Sequence, residues 1–210
     1  AREFEAEFKV IHRGKTWDLS KVDAQRLREE FKKAEFKHIE IADLRAFIEK
    51  KLAEMMAVNA TRSGFVQRLQ AVIDAYNAGA TATGDYYAQL TAHVQGLQQD
   101  AERHVREGLS EDELELFDLL KKDAMTQDET QRVKLAAKRL LARLVQEQPK
   151  VLVQDWFRDQ QTRKVVRSEI ERVLDEGLPQ SYERALFKQK CDNVFELVLD
   201  YASRGRKWAA

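Results

Sequence analysis

The sequence predicts an all-α protein, an irregular bundle of about seven or eight helices without a substantial sheet. Three observations predict it. Charged residues make up 34% of the 210 positions, against two prolines and eight glycines, a composition suited to long solvated helices. Apolar residues recur every three or four positions through most of the chain. The gaps between these stripes are short, and no set of alternating runs exists that could pair into a sheet.

Residues 1 to 19 carry no clean period, although Phe4, Phe8, Val10, Ile11 and Trp17 need cover. From Ser20, a plausible N-cap, a first helix runs to Glu35 with Val22, Leu27, Phe31 and Ala34 on one face. Lys37 to Ile41 alternates like a short extended segment. Leu44, Phe47, Ile48, Leu52, Met55 and Met56 then define an amphipathic helix ending near Asn59. Another follows, capped by Thr61 or Ser63, with Phe65, Val66, Leu69, Val72, Ile73 and Tyr76 as its stripe and Asn77 to Gly79 as its stop. The brevity of the link predicts that these two helices pack as an antiparallel pair. Asp85 to Gly108 reads as one long helix burying Tyr86, Tyr87, Leu90, Val94, Leu97, Ala101 and Val105. Ser110-Glu111-Asp112-Glu113 is a capping box ahead of Leu114, Phe117 and Leu120. Further helices are expected from Asp128 to Gln146, interrupted at Pro149, from Val151 to Asp175, and from Ser181 to a fraying end at Ser203-Arg204-Gly205. The last of these is expected to bury Leu186, Phe195, Val198 and Leu199.

Basic and acidic residues number 36 each, so no global field directs the chain to nucleic acid or an anionic membrane. Charge is uneven all the same. Residues 81 to 128 hold 4 basic and 11 acidic side chains, and residues 129 to 210 hold 17 and 12. The single cysteine, Cys191, cannot form an internal bridge and fits a reducing compartment. No run approaches the ~18 apolar residues of a membrane span, and the charged start lacks an apolar signal core. These features predict a cytoplasmic protein, and a first residue other than Met suggests a piece of a longer one.

The motifs that carry chemistry are incomplete in this sequence. A phosphate-binding loop needs glycines ahead of its lysine, whereas Gly14-Lys15 has Lys9 where the first glycine should stand. Zinc needs clustered His and Cys, but His12, His38, His93, His104 and Cys191 are scattered. His93 and His104 would stand about 16 Å apart on one helix. The nuclease-like triplets Glu35-Phe36-Lys37 and Glu49-Lys50-Lys51 are better explained as charged helix faces. No catalytic, cofactor-binding or metal-ligating residue is therefore assigned. The remaining candidate is the segment Asp155 to Arg167. There Arg158, Arg163, Lys164 and Arg167 lie beside aromatics and form a candidate contact strip for phosphate oxygens or an acidic protein. The basic terminus, Arg204 to Trp208, reads as a frayed end.

Four ordered blocks resemble a known family. They are Thr61 to Gly79 (TRSGFVQRLQAVIDAYNAG), Gly108 to Leu120 (GLSEDELELFDLL), Asp155 to Arg167 (DWFRDQQTRKVVR) and Leu186 to Phe195 (LFKQKCDNVF). Together they resemble the C-terminal region of the motor, or R, subunit of type I restriction enzymes, with the similarity running from about residue 38 to residue 202. The resemblance implies a helical domain that follows a nuclease domain and two RecA-like motor lobes. The parent subunit, with ATP and Mg²⁺, translocates duplex DNA and cuts it in a complex with methyltransferase and specificity subunits. For this piece the implied role is assembly: docking the R subunit on the methyltransferase, with duplex DNA as a second possible partner and no membrane or small-molecule substrate. None of the family's catalytic residues maps onto these positions, so the piece is expected to be non-catalytic and to hold no cofactor of its own. The corresponding layout is a connection and first helix over 1–37, the helical domain over 38–204, and a frayed tail over 205–210.

Overall fold

A computed structural model describes residues 15–147 and 150–208. Phe4, Phe8, Val10, Ile11 and Pro149 lie outside the described residues. Among those described there are nine α-helices, eight of them of seven residues or more, and no strand. The chain divides into two compact units, Ala1–Arg103 and His104–Ala210. The helical domain expected over 38–204 extends through parts of both.

The first unit contains α1 (Ala24–Lys33), α2 (Lys37–Val58), α3 (Ser63–Asn77) and α4 (Thr83–Ala101). Its centre is α4, whose Tyr86, Tyr87, Leu90, Thr91, Val94 and Leu97 are buried. At 100° per residue these six cover an arc of ~140°, wide enough for α1, α2 and α3 all to pack against it. The expected pairing of α2 with α3 is accordingly minor, because both stripes are spent mainly on α4. Phe31 stacks on Tyr87 at 3.9 Å between centroids and Tyr76 on Tyr86 at 4.0 Å. Gly96 leaves room for the Phe65 ring, which would lie 3.4 Å from an added Cβ.

Several boundaries differ from expectation for local reasons. Helix α1 starts at Ala24, not near Ser20, because the Asp23 carboxylate accepts from the backbone N–H groups of Gln25 and Arg26 at 3.0 and 3.3 Å. Ser20 is drawn instead into the Leu19–Lys21 turn by Asp18, to which its hydroxyl donates at 2.7 Å. Lys37 to Ile41 is the start of α2 and not extended. Ile41 is buried in register with Leu44, Phe47 and Ile48, so the longer helical stripe overrides a five-residue alternation. Thr61 belongs to a 3-10 turn, Ala60–Arg62, capped by Asn59, and Val66 on α3 is exposed. Helix α4 stops at Ala101, a single turn α5 (Arg103–Arg106) follows, and Val105 is 69% exposed where a buried position was expected.

The second unit contains α6 (Glu111–Leu120), α7 (Gln127–Leu141), α8 (Gln160–Gly177) and α9 (Arg184–Ser203). Each packs on the next, and α9 returns to α6. The Ser110 capping box forms as expected. Thr126 and Glu129 make a second one at the start of α7, with both bonds at 3.1 Å. A π-helical turn, Ala142–Gln146, continues α7.

The largest difference lies at residues 151 to 159, expected to open a helix. Asp155 takes a left-handed φ of 54°, Trp156–Arg158 is a 3-10 turn, and α8 begins only after the N-cap Asp159. Thr162 secures this start by donating its hydroxyl to the Trp156 carbonyl at 2.6 Å. Val151, Leu152 and Trp156 are buried from within a loop, so their apolar character signals core filling and not helical period. On α9 the buried side chains are Cys191, Val194, Val198, Tyr201 and Ala202. Leu186, Phe195 and Leu199 stand only at its margin.

Helices α7 and α8 meet through small residues: a Cβ added to Gly177 would stand 3.0 Å from the Ala136 Cβ. Gly177→Ala should therefore lower stability by about 1–3 kcal/mol through overpacking. Gly84 on α4 faces open space, and Gly84→Ala should raise stability by up to about 1 kcal/mol. Urea unfolding of the two variants, read as shifts of opposite sign, checks both.

Candidate functional site

The four cations singled out by sequence do not form one outward strip. Arg158 lies on the 3-10 turn before α8, 3.7 Å from Asp155 and with its guanidinium 5.6 Å from the Phe157 ring centroid. Arg163 turns back toward that turn and donates Nε–H to the Phe157 carbonyl at 2.5 Å. Arg167 faces α9, where it pairs with Asp192 and lies 5.6 Å from the Phe195 ring centroid, and it also pairs with Glu171 at 3.2 Å. Lys164 alone of the four is exposed and without an ion pair or hydrogen bond among the described residues.

The polar clusters that do assemble hold the fold together. Glu115 on α6 is fully buried and accepts from the Tyr201 hydroxyl at 2.5 Å and the Lys207 ammonium at 3.2 Å. Lys207 also donates to Asp112 at 2.7 Å and lies over the Tyr201 and Trp208 rings. Trp208 is buried with φ at 61°, and its carbonyl accepts the Trp156 indole N–H at 2.9 Å. Residues 205 to 208, expected to fray, are thus a clip that closes the second unit. Burial of a tryptophan and neutralisation of Glu115 reward the ordering of these last residues.

A constellation of the kind used in serine chemistry joins the start of α7 to the turn before α9. Lys122 donates to the Ser181 hydroxyl at 2.9 Å, and Ser181 in turn donates to Glu129. That hydroxyl bond, with the Thr126 backbone N–H, holds the Glu129 carboxyl down at about 2, far too weak a base to take the serine proton. Cys191 is buried, and burial pushes its thiol up to about 12, so it packs and does not react. Among the described residues no group of three or more His, Cys, Asp and Glu side chains is placed to hold a metal ion.

In the first unit, Arg62 is only 3% exposed and is held by Asp100 at 2.6 Å and the Met55 carbonyl at 3.1 Å. His93 lies edge-on to Phe65, and its buried Nε2 has no hydrogen-bond partner among the described residues. Desolvation, helped by the Arg68 charge, lowers its pKa below 6.5.

One basic surface leaves no mark on the coarse charge pattern of the chain. Between Thr130 and Gln146 there are five basic residues and no acidic one. Lys134 is taken by Glu107 at 2.6 Å, and Arg143 by Glu169 at 2.9 Å and by Glu147. Arg132, Lys138 and Arg139 remain exposed on the outer face of α7. Helix by helix the run stands out, whereas over residues 129 to 210, with 17 basic and 12 acidic side chains, it is averaged away.

A family model described as type I restriction enzyme HindI endonuclease subunit-like, C-terminal, matches residues 8–204. The chain belongs to this family. Comparison with curated proteins and with solved structures yields no match. The four blocks that carry the resemblance in sequence become, in this type I restriction enzyme C-terminal region, the buried Arg62 and α3, the capped α6 with Glu115, the Trp156 turn leading into α8, and the first half of α9. No helix among the described residues is long and apolar enough to cross a membrane.

Removing one partner from the Glu115 cluster leaves a buried charge underpaired. Lys207→Met should cost about 1–3 kcal/mol, and adding Glu115→Gln should recover most of the loss. A double-mutant cycle of chemical denaturation measures it. For His93 the folded state binds a proton less readily than the unfolded chain, so its share of stability is complete above about pH 6.5 and falls as pH drops below that value. Between pH 7 and 5.5 the unfolding midpoint of His93→Gln should decline less than that of the wild type.

Proposed function

We propose that this C-terminal region is a non-catalytic assembly domain that works in the cytoplasm and holds the type I endonuclease subunit on the methyltransferase core of its complex. The observation that carries the reading is that the reactive groups are engaged by other groups of the fold. The Ser181 hydroxyl, the Cys191 thiol and the Glu115 carboxylate are all engaged in packing or in structural hydrogen bonds. What the helices offer outward is shape and charge, the currency of protein recognition. Membership of the endonuclease-subunit family supports a place in a restriction-modification complex. ATP and Mg²⁺ are then handled elsewhere in the parent subunit.

Contact with duplex DNA through Arg158, Arg163, Lys164 and Arg167 draws less support, since Arg163 and Arg167 are occupied within the fold. Lys164 stays available to either partner. Mixing the chain with purified methyltransferase core at micromolar concentration should give a co-migrating complex in size-exclusion chromatography. The same chain should not hydrolyse ATP. Separate elution at every ratio tested overturns the docking reading.

A further inference from the structure

Helix α7 has two faces of opposite character. Val133, Ala136, Ala137 and Leu140 are buried against the bundle. At 100° per residue, Arg132, Leu135, Lys138 and Arg139 fall within ~120° of one another on the other side, with Asp128, one turn before Arg132, the acidic residue at its N-terminal end. Leu135, 46% exposed, stands at the centre of that face. The three cations have no ion pair or hydrogen bond among the described residues.

Cations without a carboxylate are not peculiar to α7, since Lys164, Arg184, Lys188 and Arg206 also have none among the described residues, but on α7 three of them share one face with an exposed leucine. Lys121, Lys122, Lys134, Arg143, Arg167, Arg172, Arg204 and Lys207 each find a carboxylate. On α7 the positions four residues from Arg139 are Leu135 and Arg143, and those four from Lys138 are Lys134 and Ala142. Like charges at that spacing weaken a helix. The helix dipole favours Lys138 and Arg139 in the last turn, but it rewards neither Arg132 in the middle nor an exposed leucine.

We propose that the outer face of α7 is a docking surface for an acidic protein surface with an apolar recess, Leu135 entering the recess and Arg132, Lys138 and Arg139 pairing with the carboxylates around it. The proposal rests on the docking reading above and deepens it, naming the methyltransferase core as the partner that bears that acidic surface. Charge complementarity sets the sign of the partner. Leu135 sets its class, because a phosphate backbone gains nothing from a buried leucine, whereas an apolar centre inside a polar rim is the ordinary anatomy of a protein interface.

The test compares wild-type chain with Leu135→Ser and with a neutral triple variant, Arg132→Gln, Lys138→Gln and Arg139→Gln. Partners are immobilised methyltransferase core and, separately, a 30-base-pair duplex, with thermal unfolding run on every protein to confirm folding. The triple variant should slow association with the core about tenfold at low salt and flatten its salt dependence. Leu135→Ser should speed dissociation about tenfold and leave the association rate nearly unchanged. Core binding within twofold of wild type in both variants overturns the α7 surface and leaves the docking reading standing. Absence of core binding by the wild type overturns both. Loss of duplex retention in the triple variant, with core binding intact, assigns the face to phosphate and overturns the protein partner.

Discussion

A guanidinium taken out of water must be neutralised where it sits, and in the first unit that demand organises three helix ends around Arg62. Its Nε–H donates to the Asp100 carboxylate at 2.6 Å, one terminal nitrogen to the Met55 carbonyl at 3.1 Å and the other to the Asp100 carbonyl at 3.4 Å. The end of α2, the turn before α3 and the end of α4 are thereby fixed together. A lysine could pair with the carboxylate but lacks the planar fork that reaches both carbonyls as well. Arg103 takes the second oxygen of Asp100 at 2.9 Å, so that carboxylate is satisfied on both sides. With α4 anchored, its broad apolar arc receives α1, α2 and α3, and the polar knot decides how the greasy surfaces meet.

The second unit solves the same problem with the opposite charge. Glu115 is buried on a helix whose first turn already carries Glu111, Asp112 and Glu113, where the helix N-terminus favours anions. Its own position lies past that help, so it needs a cation and a hydroxyl brought from far along the chain. Tyr201 and Lys207 supply them across separations of 86 and 92 residues. Such long-range closure places part of the core in the hands of residues that a sequence reader would discard as a tail.

Features set by local chemistry were legible in the sequence. The Ser110 capping box, the Gly79 stop and the inward face of α4 from Tyr86 to Leu97 all follow from spacings of four residues or fewer, and the all-helical class follows from their accumulation. Features decided by competition between distant parts were not. Whether Val151, Leu152 and Trp156 wind into α8 or fill the core as a loop depends on Asp155, Thr162 and Trp208 acting together, which no local period records. The internal engagement of Arg163 and Arg167 was not legible for a related reason. Spacing put Arg163 and Arg167 on one helix side, but nothing in the spacing says that the Phe157 carbonyl and Asp192 already hold them.

The zero net charge that argued against an electrostatic partner is itself a sum over unlike surfaces. At physiological ionic strength, charges separated by more than about 8 Å are largely screened from one another. An approaching macromolecule therefore senses the face in front of it and not the total. Several cations of the second unit, Lys122, Lys134, Arg143 and Lys207 among them, are cancelled within a few ångströms by their own carboxylates and contribute little field beyond them. The acid-free stretch of α7 is different, because its charges stand next to each other with Leu135 between them. Exposed ion pairs add little to stability, so folding gives small reason to forgo a carboxylate there, and equally small reason to supply one. The choice is free for recognition to make, and recognition is where an uncancelled cation next to an apolar side chain has its largest effect.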